Sequence, residues 1–475
     1  MTITDTYARR WWALGLVSLA QFLIILDTSI IGIALPQIRG ALGFSESSLQ
    51  WVFNAYVIAF GGLLLLGGRL SDLLGARRLF AGGFAILVAA SLLAGLAWSD
   101  AVLVVGRALQ GIGAALIAPA AMTLVFRLFT TPAELGRAMG IWGAAAPAGG
   151  TAGVFFGGVI TEWISWRWTF LINVPIGVLV LAATPALLPP VQGRRGRVDV
   201  AGALSVTAAL SLAVYGIVTA NDRGWGAAGT ILLLAVAGAL LAVFVALQSP
   251  RRDPLVPLRI FRTPNLTAAN AVMLLLGAAW IPMWFYLNLY LQQMLGFGAF
   301  ESGAALLPMT IAIMVLMVGV TGRLVSRVGF KRPLVAGLVA LAAGMLMFGY
   351  LPIGGSFAAD VLGASLVAAF GMSLSYIPTL IASLSAVEPE KTGLASGIVN
   401  TSYQIGSALG LAAMTAMALA STDGAGVAGL NNGFHAAFVG AAAVAAAAAV
   451  LAVVAIRSPR ARAANAVAAL EQQAA

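Results

Sequence analysis

Two ionisable residues lie deep inside long apolar runs of this sequence: Asp27, in the run that starts near residue 12, and Arg107, in the run 101–124. If such runs cross a bilayer, an unpaired charge in either is expensive, and mutual pairing is the economical arrangement. Asp27 stands about 15 residues into its run, roughly 22 Å from the start of a helix. Arg107 stands about 7 residues into a run of opposite direction, roughly 10 Å from that side. In a hydrocarbon core about 30 Å thick, the two depths nearly coincide. Burial disfavours the ionised carboxylate and a neighbouring guanidinium favours it, so helix movement that parts the pair would switch whether Asp27 holds a proton. Proton coupling by Asp27 and Arg107 is therefore one reading, and a fixed structural ion pair is the other.

Further polar and aromatic side chains inside the runs are candidates for a substrate cavity. They are Asn54, Tyr56, Gln110 and Trp142, then Trp280, Trp284, Tyr286, Asn288 and Gln292, then Tyr376, Asn400, Tyr403 and Gln404. Amphipathic rings with a few amides suit varied lipophilic compounds through stacking and adaptable hydrogen bonds, although each alone reads first as helix packing or interface anchoring. Pro282 and Pro378 are positions where a helix would kink beside such a cavity. Cysteine is absent and His435 is the single histidine, so no thiolate or histidine metal cluster exists, and His435 reads as structural. No nucleotide loop, metal cluster or nucleophile constellation marks an enzyme. No cofactor is expected; the energy source implied is a proton gradient.

The elements that position these residues are membrane helices. Of the 475 residues 61% are apolar and 9% charged, against roughly 25% charged in soluble domains. Mean hydropathy is +0.99. Runs long enough to span lie near 12–34, 51–70, 79–98, 101–124, 137–160, 169–190, 200–220 and 227–247, then 266–291, 302–322, 333–352, 359–384, 393–419 and 434–456. The predicted fold class is thus an all-α polytopic membrane protein with 14 transmembrane helices. Arg9 and Arg10 before the first run resemble a signal peptide, but the run passes 20 residues and ends at Leu35-Pro36 without a small-residue cleavage site, so it reads as a retained span.

Orientation follows from the basic residues. With a cytoplasmic N-terminus, 22 of the 26 lysines and arginines fall on that side, including Arg77-Arg78, Arg194-Arg195-Arg197, Arg251-Arg252 and Lys331-Arg332. Only Arg39, Arg167 and Arg223 fall opposite. Both termini are then cytoplasmic, and Trp51, Trp98, Trp163, Trp166 and Trp225 lie near the outer interface. The net charge of +10 is a topology signal and calls for no nucleic acid. Arginine far outnumbers lysine, as in GC-rich bacterial genomes, and the expected location is a bacterial inner membrane.

A repeat divides the chain. Gly68-Arg69-Leu70-Ser71-Asp72-Leu73-Leu74-Gly75-Ala76-Arg77-Arg78 joins spans two and three, and Gly322-Arg323-Leu324-Val325-Ser326-Arg327-Val328-Gly329-Phe330-Lys331-Arg332 joins spans nine and ten. Duplicated halves are a common route to a midplane site with alternating access. The plan is a six-helix bundle over 1–190, two additional helices over 191–250, a second six-helix bundle over 251–457 and a cytoplasmic tail over 458–475. Gly68, Asp72, Gly75, Arg77, Arg78, Arg323 and Arg327 form a candidate conformational gate. The glycines permit a tight turn and close helix approach, and Asp72 can face a helix N-terminus or an arginine across the half-interface. Gly143, Gly149, Gly150 and Gly153 read as a close-packing face of the fifth span.

At these motifs the sequence resembles the major facilitator superfamily, whose signature loop is Gly-x-Leu-x-Asp-x-x-Gly-x-Arg-Arg. Leu26-Asp27-Thr28-Ser29-Ile30 with Ala34-Leu35-Pro36, Arg107-Ala108-Leu109-Gln110-Gly111-Ile112-Gly113, and Trp166-Arg167-Trp168-Thr169-Phe170-Leu171-Ile172-Asn173-Val174-Pro175-Ile176-Gly177 are similar to its fourteen-span drug:proton antiporter branch. So are Tyr290-Leu291-Gln292 and Gly393-Leu394-Ala395-Ser396-Gly397 with Gln404-Ile405-Gly406. The fifth-span run Gly153-Val154-Phe155-Phe156-Gly157-Gly158 departs from that branch, which carries Gly-Pro before its Gly-Gly; Pro147 lies seven residues upstream of Val154. Leu73 replaces the usual basic residue of the signature loop. The resemblance implies two six-helix bundles, alternating access, and assistance of proton transfer by Arg107.

The leading expectation is proton-coupled efflux of drugs, antibiotics or other lipophilic small molecules, with a lipid or metabolite exporter, or a metabolite permease, as the alternative. One proton moved across 100 mV is worth about 2.3 kcal/mol and one pH unit about 1.4. Together they sustain roughly a 500-fold gradient of a neutral solute, whereas one-for-one exchange with a monovalent cation leaves only about tenfold. The expected partners are the substrate, protons and membrane lipid, with the protein acting as a monomer. No filter-like segment or charge ring suggests a channel.

Overall fold

In lipid, a long apolar segment must satisfy its backbone internally, and helices do so. The computed structural model describes residues 3–44, 49, 51–190, 193, 199–248, 254, 256–388, 391–422 and 426–457, which are helices joined by short turns. The first half comprises α1 (Ile3–Ser29), α2 (Ile31–Leu42), α3 (Trp51–Leu74), α4 (Ala76–Gly95), α5 (Asp100–Leu128), α6 (Pro132–Trp163), α7 (Trp168–Leu171) and α8 (Asn173–Leu187). Then come α9 (Val200–Arg223) and α10 (Ala228–Gln248). The second half holds α11 (Leu266–Gln293), α12 (Ala299–Leu316), α13 (Gly322–Val328), α14 (Lys331–Phe348), α15 (Leu362–Leu384), α16 (Thr392–Ala420) and α17 (Val427–Ala455).

Thirteen stretches among the described residues are long and apolar enough to cross a membrane, with α12 and α13 forming one continuous stretch. The fourteenth element, α9, is 24 residues long, about 36 Å at 1.5 Å per residue. The fold is that of a fourteen-helix membrane protein.

Several boundaries differ from the hydropathy reading. The first run does not end at Leu35-Pro36: α1 stops at Ser29, and α2 carries the chain on to Leu42. The hydroxyls of Thr28 and Ser29 both donate to the Ile25 carbonyl, at 2.8 and 2.9 Å. That competition with the helix ladder accompanies a break one turn after Asp27's own turn begins. The tenth run is interrupted by a π-helical turn, Met317–Thr321, where Thr321 donates to Leu316 and Ser373 carbonyls. The twelfth run likewise opens with a π-helical turn, Phe357–Val361. His435 lies inside α17, not at its start, and its Nε2 lies 2.7 Å from the Leu351 carbonyl. Trp51, Trp98, Trp163 and Trp225 are exposed, but Trp166 is buried beneath Arg167, whose guanidinium sits 4.7 Å from its ring. Arg194, Arg195, Arg197, Arg251, Arg252 and the tail 458–475 lie outside the described residues.

One end of the bundle gathers the basic loops. Arg10 pairs with Glu134 at 3.6 Å, Arg9 donates to the Ala186 carbonyl, Arg77 donates to the Leu188 carbonyl at 3.2 Å, and Lys331 donates to the Val453 carbonyl at 2.7 Å. At this basic end the halves touch backbone to backbone. A Cβ on Gly68 would stand 2.5 Å from the Gly393 carbonyl, and one on Gly136 would stand 3.0 Å from the Gly322 carbonyl. Farther along, α6 stays against α12: Thr151 and Thr310 share a hydrogen bond, and the Phe155 and Phe300 rings meet at a tilt, 5.4 Å between centroids. Along its other flank α3 leans on α9, where Gly61 and Gly62 meet Val214 and Ser211. Helix α9 also packs on α16, so it touches both halves.

Candidate functional site

Asp27 and Arg107 are both fully buried and form an ion pair, Nη1 to Oδ2, at 2.6 Å. The pair sits in a polar cluster drawn from five helices. Arg107 Nε donates to the Val52 carbonyl at 2.8 Å, and Nη1 also donates to Gln110 Oε1 at 2.8 Å. Gln110 Nε2 donates to Asp27 Oδ1 at 2.9 Å and to Ser91 Oγ at 2.9 Å. Asn173 Nδ2 donates to the same Oδ1 at 2.6 Å. The Tyr56 ring lies 4.5 Å from the guanidinium carbon, a cation–π contact, and its hydroxyl reaches the Ile24 carbonyl at 3.4 Å. Among the described residues Arg107 Nη2 and Asn173 Oδ1 have no partner, leaving a donor and an acceptor spare beside the carboxylate.

Local sequence explains how these groups are held. Arg107 and Gln110 are three apart on α5, so both face the same neighbour. Their approach to α3 and α4 depends on small residues: a Cβ on Gly111 would meet the Tyr56 carbonyl and Ala59, and one on Gly106 would meet Ala94. Asn173 opens α8, with Pro175 in the first turn, where a missing N–H costs nothing. The preceding Trp-Arg-Trp segment is anchored by Arg167, whose Nη1 donates to the Gly95 and Ala97 carbonyls at 3.0 and 2.8 Å. These carbonyls close α4, whose face carries Ser91, so the Arg167 clasp ties Asn173 and Ser91 to one framework.

Composition alone does not point to Asn173 or Ser91. Asn173 falls inside the Trp166–Gly177 segment that carries the family resemblance, and that location was the available signal. Gln110 and Tyr56, expected in a substrate cavity, belong instead to the Asp27 cluster.

At the basic end, Asp72 lies across the half-interface from α16. Its Oδ1 accepts from the Gly393 N–H and its Oδ2 from the Leu394 N–H, both at 2.9 Å. One carboxylate thus caps the positive end of a helix belonging to the other half. Arg69, buried on the same helix, and Arg127 add positive charge nearby. Gly75 adopts φ 90°, where glycine turns the chain without strain between α3 and α4. Arg78 is exposed. The second copy works differently: Arg323 donates to the Gly319 carbonyl of its own helix at 2.8 Å, Arg327 is exposed, and the half-interface contact is made by the Gly322 backbone. With Ser326 in place of an acid, no carboxylate caps a helix there, which is why Arg323 and Arg327 do not reproduce the Asp72 arrangement.

The remaining cavity candidates do not converge on one pocket. Tyr286 donates to Thr415 at 3.1 Å and packs against Phe434 and Phe438, holding α11 to α16 and α17 within one half. Asn400 donates to the Ser396 carbonyl of its own helix, and Gln292 is exposed, donating to Asn288 at 3.2 Å. Asn54 and Trp142 are buried, Trp142 with an unpartnered indole N–H. Half-buried Trp284 lies 5.8 Å from Trp280, Tyr376 lies edge-on to Tyr403 at 5.9 Å, and Gln404 is half-buried. On α6, Gly149, Gly153 and Gly157 form a seam against α1 at Phe22, Leu26, Ser29 and Ile30. Gly143 instead meets Ile377 and Met317 of the other half, and Val154, where the antiporter motif has proline, packs on Gly303.

Comparison with known proteins agrees with this architecture. The Major Facilitator Superfamily profile matches residues 17–411. The chain is 39% identical to a cephamycin export protein of Amycolatopsis lactamdurans over 90% of this chain and 89% of that one. It is 35% identical to a puromycin resistance protein of Streptomyces alboniger, over 87% and 83%. The solved proton:xylose symporter XylE aligns over 94% of this chain and 95% of that chain with a TM-score of 0.67 at 14% identity, a likeness of fold. With two helical halves, the duplicated basic loop and a profile match over most of its length, this chain belongs to the Major Facilitator Superfamily.

Proposed function

We propose that this protein is a proton-coupled exporter of antibiotics or other lipophilic small molecules, working by alternating access in a bacterial cytoplasmic membrane with both termini inside. The observation that carries it is the buried Asp27–Arg107–Gln110–Asn173 cluster. The export and resistance functions named for its relatives support the substrate class.

Asp27 in this arrangement accepts three donated hydrogen bonds, filling three of a carboxylate's roughly four acceptor sites. A proton placed on Oδ1, which already accepts from two amides, turns that oxygen into a donor and displaces one of them. Asn173 offers the simplest exchange: turning its amide presents the unpartnered Oδ1 to the new O–H. Loss of the carboxylate charge also weakens the hold on Arg107, which keeps its bonds to Gln110 and the Val52 carbonyl and its contact with the Tyr56 ring. Proton arrival is thereby linked to the packing of α1 on α5 and α8, and the Ser29–Ile31 break lies two residues from Asp27.

By the positive-inside rule, the basic loops support a cytoplasmic position for their end of the bundle. Contacts of Gly68, Asp72 and Gly136 across the halves then describe a state closed to the cytoplasm. Release of the Asp72 cap from α16 is the step that opens it.

The experiment is transport in sealed proteoliposomes under an imposed pH gradient, following a lipophilic dye and protons together, with Asp27→Asn alongside. Dye movement that needs the gradient, returns protons and vanishes in the variant is expected. Coupled transport surviving in Asp27→Asn would move the coupling elsewhere.

A further inference from the structure

The additional helices α9 and α10 frame an apolar crevice of about 200 Å³ at the junction of both halves. Leu65 of α3 and Ile398 of α16 form its inner wall, and Leu210 of α9 and Phe244 of α10 form its side. Among the described residues its polar walls are Thr401 and Ser402. The mouth opens on the flank of the protein, where Leu241 and Val245, as well as Leu258 and Phe261, are exposed.

Depth identifies the surrounding layer. Leu65 lies nine residues before the end of α3 and Thr401 nine after the start of α16, so the crevice reaches about 13 Å inward from the basic end. That is close to half of a hydrocarbon core about 30 Å thick, the reach of one leaflet. The short 3-10 turn Leu258–Arg262 borders the crevice just before α11 begins. It points Leu258 and Phe261 into the mouth and carries Arg259 and Arg262, both exposed, on the same turn.

We propose that this crevice binds an anionic phospholipid, its phosphate held by Arg259 and Arg262 and one acyl chain lying along Leu210, Phe244 and Ile398. An apolar slot one leaflet deep matches the chain, and two cations at headgroup level match the charge. Because Leu65 and Ile398 belong to different halves, an occupied crevice stabilises the state in which α3 and α16 stay together at the basic end. The additional helix pair thereby makes the alternating-access equilibrium responsive to lipid.

The test uses purified full-length protein in neutral detergent at low salt, titrated with phosphatidylglycerol or with phosphatidylcholine of the same chains. Thermal unfolding reads binding. The chain has no cysteine, so alkylation of a single Ser71→Cys, buried at the half-interface, reads opening. Phosphatidylglycerol should raise Tm at a concentration on the order of thirty-fold lower than phosphatidylcholine, as two surface arginines imply, and should slow alkylation. Arg259→Gln with Arg262→Gln should abolish that preference. Leu241→Trp, at the lipid-facing mouth, should blunt the response to both lipids. The proposal fails if the two lipids act alike on wild type, if the double variant keeps the preference, or if alkylation ignores phosphatidylglycerol. It also fails if neither lipid acts and the protein is a dimer at that concentration, which would give the crevice to a second copy. None of these readouts requires transport or Asp27, so failure of the proton reading is distinguishable.

Discussion

Asn173, 146 residues along the chain from Asp27, donates its side-chain amide to Oδ1 of that carboxylate at 2.6 Å. The contact joins the start of α8 to α1 and leaves the amide oxygen free. A hydrogen bond to an ionised group is worth about 1.5–3 kcal/mol, and its loss from a buried site is felt in full. Asn173→Ala is expected to reduce proton-driven transport about tenfold or more with the protein still folded, as read in proteoliposomes beside a thermal melt. Wild-type coupling in the variant would reduce Asn173 to packing.

Removing only the base should be worse than removing both charges. Arg107→Ala strands a buried carboxylate, and breaking a buried pair in this way costs about 3–5 kcal/mol. Asp27→Asn combined with Arg107→Ala should recover much of that stability while remaining inactive. A thermal-unfolding double-mutant cycle checks it; additive losses would mean that the two residues do not depend on one another.

Asp72 caps α16 from the opposite half, so its removal should act on the conformational equilibrium more than on folding. Charge at a helix N-terminus contributes about 0.3–1 kcal/mol at exposed sites and up to about 2 when partly buried. Asp72→Ala is expected to shift the population toward the basic-end-open state by up to about thirty-fold. Distances between spin labels on the ends of α3 and α16 measure that shift, and an unchanged distribution would deny the cap a gating role.

The glycine seam of α6 allows no side chain. A Cβ on Gly153 would stand 2.7 Å from Ser29 Cβ and 3.0 Å from the Leu26 carbonyl, next to Asp27's turn. Gly153→Val should destabilise by about 1–3 kcal/mol through overpacking, and it should impair transport by displacing α1. Gly158→Val is the matched control, since a Cβ at Gly158 meets nothing within 4 Å. Equal melting temperatures for the two variants would contradict the seam.

Much of the architecture was readable from hydropathy because lipid leaves a long apolar run a single backbone solution, the helix. The runs, their alternation and the placement of Asp27 and Arg107 at matching depth all follow from counting residues along such helices. Boundaries were less accessible. The break at Ser29 rests on two hydroxyls bonding the Ile25 carbonyl, and the π-helical turn at Met317–Thr321 includes a bond from Thr321 to the Ser373 carbonyl of another helix. Trp166 shows the same limit: position along the chain suggested an interfacial ring, yet Arg167 and Phe170 enclose it.

Depth is a one-dimensional quantity, and the linear order of residues carries it. Rotation of each helix about its axis, and the choice of neighbour, depend on packing among segments hundreds of residues apart. Asp27 and Arg107 could be matched in depth beforehand, but Gln110 and Tyr56 joined their cluster instead of a cavity because of how α5 and α3 are turned. Asn173 reached Asp27 because Arg167 clasps the end of α4. Asp72 found the amides of Gly393 and Leu394 because glycines let α3 and α16 approach. Those decisions are made by side-chain volume and backbone contact across the bundle, where no local pattern in the sequence records them.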